Sequence, residues 1–187
     1  QEDARRIVKI AIDNFKNRGA EVMIPQHKAP LIAGFGVESI EYHLGGSFRG
    51  TYYTLNDNII NGRIRGVAGV VGCNNARTQH NRDHIAICKE LIKNDVLVLT
   101  TGCTAIACAM EGLLTPEAAA VHAGPGLAEV CETVGISPVL HLGSCVDNSR
   151  ILLAATEVVK AGGLGNDISE WPVAGSAPEW MSEKAIS

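Results

Sequence analysis

Cys73, Cys103 and Cys145 share one setting. Cys73 ends the run Gly66-Val-Ala-Gly-Val-Val-Gly72, Cys103 ends Val96-Leu-Val-Leu-Thr-Thr-Gly102, and Cys145 ends Pro138-Val-Leu-His-Leu-Gly-Ser144. Each run is short, apolar and rich in β-branched residues, the pattern of a buried strand. Glycine stands one residue before Cys73 and Cys103 and two before Cys145. After each thiol comes a small or polar stretch and then a helical pattern. Strand, glycine turn, thiol and helix, repeated, describe parallel βα units. Parallel strands put the three thiols at one carboxyl edge, where open α/β sheets bind ligands. Thiolates converging at helix N-termini suit a cationic, sulfur-loving metal centre. A free cysteine often only fills a core, but three in the same position weigh against that reading. The spacings are too long for a ribbon-type zinc site or a ferredoxin run. Ligands from three separate strands imply a larger inorganic cluster on a rigid scaffold.

The elements that must position these thiols follow from the rest of the chain. The fold class expected is α/β, a Rossmann-like parallel sheet flanked by helices with a helical N-terminal lead-in. Residues 1–63 form that lead-in: an amphipathic helix Glu2–Arg18, a Pro-broken connector in which Val22–Ile24 reads as a short strand, and helical pieces Val37–Leu44 and Asn56–Asn61. Residues 64–187 form the α/β domain, incomplete at its C-terminus. Its strands are Val67–Val71, Val96–Thr100 and Val139–Leu142. Its helices are Arg82–Lys93, Thr104–Leu113, a helix capped by Thr115 with Pro116 at its first position, Gly124–Val134 and Asp147–Ala161. Trp171-Pro-Val is read as a connection only. The chain opens at Gln1 directly into a helical stretch and closes at Ser187 without polar fraying, so an internal piece of a longer polypeptide is expected.

Composition narrows the function classes. The chain has 187 residues, with 46% hydrophobic, 19% charged and only 4% aromatic residues, as in a soluble globular protein that packs helices closely on a sheet. A net charge of −4 gives no case for nucleic acid. No apolar run reaches membrane-spanning length and no secretory signal is evident, so a cytoplasmic protein with reduced thiols is expected. Cys88, Cys108 and Cys131 fall inside helices and read as core or semi-exposed thiols without chemistry. Among the histidines, His80 and His84 have a metal-like spacing, yet Asn81-Arg82 looks like a helix start and both are read as solvated. His141 is read as a core or wall residue. Asn74 and Asn75 are expected to shape their loop, and Asp147, Asn148 or Ser149 to cap a helix, with Arg150 paired to an acid.

Several motifs closely resemble the catalytic subunit of the anaerobic nickel-containing carbon monoxide dehydrogenases, within the superfamily shared with the hybrid-cluster proteins. They are GVVGCNN (Gly69–Asn75), the helix ending Lys89-Glu-Leu-Ile-Lys93, TTGC (Thr100–Cys103), HLGSCVDNSR (His141–Arg150) and APEWMSEKA (Ala177–Ala185), in order along the whole chain. The resemblance implies reversible oxidation of CO with water to CO2, two protons and two electrons at a nickel–iron–sulfur cluster. It implies that Cys73 and Cys103 hold irons, that Cys145 holds nickel, and that Lys184 transfers protons beside the substrate. A lysine so placed would otherwise be read as a solvated charge. It further implies a homodimer with additional 4Fe-4S clusters bound outside this chain, and a ferredoxin-type electron acceptor. Whether the parent works alone, with a hydrogenase or with an acetyl-CoA synthase stays open. The family's ligands to its pendant iron, and one more cluster cysteine, lie upstream and have no counterpart here, so the isolated fragment is expected to be inactive. Two alternatives are a hybrid-cluster protein reducing hydroxylamine, told apart by nickel content, and a non-catalytic α/β binding domain, whose buried thiols would resist labelling.

Overall fold

The computed structural model describes residues 1–19, 21–46 and 50–179. Chain order gives helices α1 (Glu2–Asn14), α2 (Val37–Leu44) and α3 (Tyr53–Ile60), then strand β1 (Gly66–Val70) and helix α4 (Arg82–Lys93). There follow β2 (Val96–Thr101), α5 (Gly102–Met110), α6 (Glu117–His122), α7 (Pro125–Val134), β3 (Val139–Gly143), α8 (Ser149–Ala161) and β4 (Val173–Ser176). The sheet has four strands in the order β3-β2-β1-β4, with every pairing parallel. This is the expected α/β class, with helices crossing between parallel strands and a helical lead-in.

The strand runs behave as their composition requires. All five residues of β1 are buried, as are the last five of β2, because both strands are central and covered on two faces. Between Thr100 and Thr101 the β2–β3 register shifts: Thr100 faces His141 while Thr101 faces Gly143. Leu142 is the extra residue, a bulge at the carboxyl edge. It keeps Cys145 level with Cys103, each two residues past the Thr101↔Gly143 pair.

Four expectations need correction. Val173–Ser176 is a strand, and its register with β1 begins at Val67↔Val173. It has one β-branched residue, so it forms by pairing with β1 and not by intrinsic preference. Val22–Ile24 forms no strand and is exposed. The helix near Thr115 starts at Glu117 with Pro116 at its cap position, because the Thr115 hydroxyl instead donates to the Gly112 carbonyl 3.2 Å away. The last long helix begins at Ser149, after a separate 3-10 turn Cys145–Asp147.

The core joins Val67, Leu97, Leu99 and Leu140 of the sheet to Cys88, Leu127 and Val158 of the helices. Phe35, Ile40, Tyr52 and Leu55 of the lead-in belong to the same cluster. The Gly34 and Phe35 amides donate to the His141 carbonyl at 3.0 and 3.1 Å, so the lead-in covers the outer edge of β3. His141 is half-buried there, and burial lowers its pKa. Helix α1 contributes no buried residue. Among the described residues no helix is long and apolar enough to cross a membrane.

Candidate metal centre

The thiols divide by position. Cys88, Cys108 and Cys131 are fully buried in the core. A hydrogen bond with Cys88, and then burial, push the Cys108 thiol well up, and burial pushes Cys131 up to about 12. Such thiols stay protonated and inert. Cys73 is half-buried, whereas Cys103 and Cys145 are exposed. These three follow the carboxyl ends of β1, β2 and β3, neighbours in the sheet. Cys103 sits in the first turn of α5, and Cys145 opens the 3-10 turn after β3.

Glycine geometry brings two of the three together. Gly102 has φ of 57°, a left-handed conformation that suits glycine, and turns the chain from β2 straight into α5. A side chain there would place its Cβ 3.2 Å from Cys145 Cβ and 3.4 Å from Cys145 N. The backbone before Cys103 therefore touches Cys145. The Thr101 hydroxyl also donates to Asn148 Oδ1, tying the end of β2 to the start of α8. Asp147 Oδ2 accepts from the Ser144 amide at 2.9 Å and its hydroxyl at 3.1 Å, so the Cys145 turn is locked on itself. Those bonds, with Arg150 3.1 Å from Asp147 Oδ1, hold the Asp147 carboxyl below the usual range. Arg150 has the expected acid partner, whereas the expected side-chain cap on α8 is not formed: Asp147 closes a capping box with Ser144 on the 3-10 turn, and Asn148 makes no cap bond to α8.

Cys73 is joined to Cys103 by a different device. His84 is fully buried on α4, not solvated as its sequence position suggests. Asn74 Nδ2 donates to Asn81 Oδ1, and the Asn81 amide donates to Asn74 Oδ1, both at 2.9 Å. This reciprocal pair folds the loop over the start of α4 and turns His84 inward. Its Nε2 lies 2.9 Å from the Cys73 carbonyl and its Nδ1 lies 3.0 Å from the Thr104 hydroxyl.

Glu179 is a second residue that sequence reasoning passed over. Its carboxylate is buried, and Oε2 accepts from the Asn75 amide and the Thr78 hydroxyl, both at 2.9 Å. Burial alone would raise its pKa, but these two bonds more than offset that and leave the group below its ordinary value. Oε1 is buried with no hydrogen-bond partner among the described residues. Glu179 thereby pins the APEW segment to the loop carrying Cys73. The signal lay in a motif already singled out, where attention went to its lysine. Lys184 itself lies outside the described residues.

The donors fit an iron–sulfur–nickel group in kind, being accessible thiols on one rigid edge, and soft sulfur is what such metals select. They do not form a closed single-ion site: among the described residues no three His, Cys, Asp or Glu side chains gather closely enough to hold one metal ion. Thiols serving different metals of one cluster need not converge on a single ion.

A model of the Prismane/CO dehydrogenase family matches residues 1–187. The chain belongs to this family. It is 56% identical over its whole length to carbon monoxide dehydrogenase 1 of Methanosarcina mazei, and 44% identical to carbon monoxide dehydrogenase 1 of Carboxydothermus hydrogenoformans. It spans 29% and 30% of those two relatives. An as-isolated, nickel-free crystal structure of carbon monoxide dehydrogenase from Thermococcus sp. AM4, produced without the CooC maturase, superposes with TM-score 0.86 at 54% identity. That match covers 99% of this chain and 28% of the other. A further family structure has TM-score 0.84 at 35% identity over 98% of this chain and 29% of its own. It is an acetyl-CoA synthase/carbon monoxide dehydrogenase with NiZn[Fe4S4] and NiNi[Fe4S4] clusters in its alpha subunits.

Proposed function

We propose that this chain is part of a carbon monoxide dehydrogenase, whose parent converts CO and water to CO2, two protons and two electrons, reversibly. The observation that carries the reading is the full-length match at 56% identity to a protein of that name, joined to three edge thiols. Residues 64–187 are proposed as the cluster-facing α/β domain and 1–63 as its lead-in.

When bound, a nickel–iron–sulfur cluster supplies Lewis acidity and a store for the two electrons. In this reading Cys73 and Cys103 hold irons and Cys145 holds nickel. The locked Ser144–Asp147 turn and the contact at Gly102 fix the direction from which the Cys145 thiol approaches. Lys184, assigned through APEWMSEK, stabilises negative charge developing on the substrate and passes on the protons released. Electrons leave through additional 4Fe-4S clusters outside this chain to a ferredoxin-type acceptor. The parent is proposed as a homodimer, with acetyl-CoA synthase or a hydrogenase as the alternatives for an associated enzyme.

The test is CO-dependent reduction of a viologen dye by the parent protein, produced anaerobically with nickel. CO oxidation that depends on nickel supports the reading. A fully metallated parent that leaves CO untouched overturns it, and hydroxylamine reduction without nickel transfers the chain to the hybrid-cluster branch.

A further inference from the structure

We propose that His84 is a positioning residue that sets the Cys73 loop against the Cys103 helix before any metal arrives, the inference resting on the reading of these thiols as cluster ligands. A carbonyl oxygen only accepts hydrogen bonds, so the 2.9 Å contact with the Cys73 carbonyl requires the hydrogen on His84 Nε2. In the neutral ring Nδ1 then accepts from the Thr104 hydroxyl, 3.0 Å away. Thr104 directly follows Cys103 and is fully buried. One imidazole therefore grips the backbone of one thiol residue and the neighbour of the next. Asn81 Nδ2 also reaches α5, at Met110 Sδ 3.6 Å away, but at the far end of that helix from Cys103.

The grip is rigid for reasons on both sides. His84 rides on α4, whose first turn is held by the Asn74–Asn81 pair, and the ring is sealed from water on all faces. The Cys73 loop is fixed on its other flank by Glu179. Cys103 and Cys145 already share the Gly102 contact and the Thr101–Asn148 bond. His84 is thus the link that adds Cys73 to an otherwise joined pair. Partners outside a metal's direct ligands typically change metal affinity 10–100-fold when removed.

The experiment uses the parent protein in His84→Leu, His84→Gln and Thr104→Val forms. In metal-free protein, the bifunctional thiol reagent dibromobimane is used to bridge thiols, and the bridged peptides are mapped. Bridging of Cys73 to Cys103 should slow about tenfold in His84→Leu, by analogy with partners outside the direct ligands. The Cys103–Cys145 bridge should stay at the parental rate. His84→Gln, which retains a donor and an acceptor, should recover part of the loss. Metallated protein should show iron and nickel at this centre reduced about tenfold and an altered electron paramagnetic resonance signature. An unchanged Cys73–Cys103 rate in folded His84→Leu overturns the proposal, as does absence of that bridge in the parent. If His84→Leu does not fold, Thr104→Val decides: a slowed bridge supports the grip, and parental bridging overturns it. A parent that bridges as expected yet takes up neither iron nor nickel removes the cluster reading and leaves the positioning role standing.

Discussion

At the scale of single residues, the proposed function gives the cysteines and the lysine different duties, so their variants should fail differently. Cys145→Ala in the parent protein should abolish nickel binding and CO oxidation while leaving clusters outside this chain intact. Metal analysis checks it, and normal nickel with normal turnover would return Cys145 to an ordinary surface thiol. Lys184→Ala should keep the full metal content and lower CO oxidation about a hundredfold, the scale of one lost charge-stabilising donor. Lys184→Arg should rescue incompletely, since guanidinium holds its proton too tightly to relay it; steady-state rates on metal-quantified protein decide. The three edge thiols were legible because type and position repeat. His84 was not, because its inward turn depends on Asn81 meeting Asn74, a contact across a loop that periodicity cannot encode. Glu179 was hidden for the same reason: its partners Asn75 and Thr78 stand far away in sequence.

At the scale of elements, the sheet positions the thiols and the helices fix the sheet. Strands β1 to β3 announce themselves as β-branched runs ending in glycine. β4 does not, and only its pairing with β1 makes it a strand. Beside the backbone bonds at β3, a buried side chain fastens the lead-in to the α/β layer. Asn56, fully buried on α3, donates through Nδ2 to the carbonyls of Val158 at 3.2 Å and Gly162 at 2.7 Å, closing the last turn of α8. Asn56→Leu leaves those carbonyls without that donor and should cost about 1–3 kcal/mol. The expected result is a lower urea midpoint with an unchanged slope; a midpoint equal to the parental one would show that the contact contributes nothing.

At the scale of the whole molecule, the apolar surface is large for a free-standing chain. Phe15 is 68% exposed and Ile12 68% along α1, and Val146 beside Cys145 is 84% exposed. The chain spans 28–30% of the length of the relatives reported above. The isolated chain should accordingly take up nickel and iron below the ratio of a complete cluster when reconstituted anaerobically. Elemental analysis after desalting tests this, and one full cluster per chain would refute it.

The placement of β4 has a consequence in time. β1–β2 and β2–β3 close over single crossovers, but β4 must return from the far end of the fold to meet Val67 through Val173. Closing so wide a loop carries a larger entropic penalty, so β4 should dock after its neighbours during folding and release before them. Amide protons at the β1–β4 seam, such as Val71 N–H to the Ser176 carbonyl, should exchange with deuterium earlier than those between β1 and β2. Glu179 follows β4 within three residues, so its clasp on the Cys73 loop forms late on the same clock. Folding would thus leave an interval in which the thiol edge is built but that flank still stands ajar.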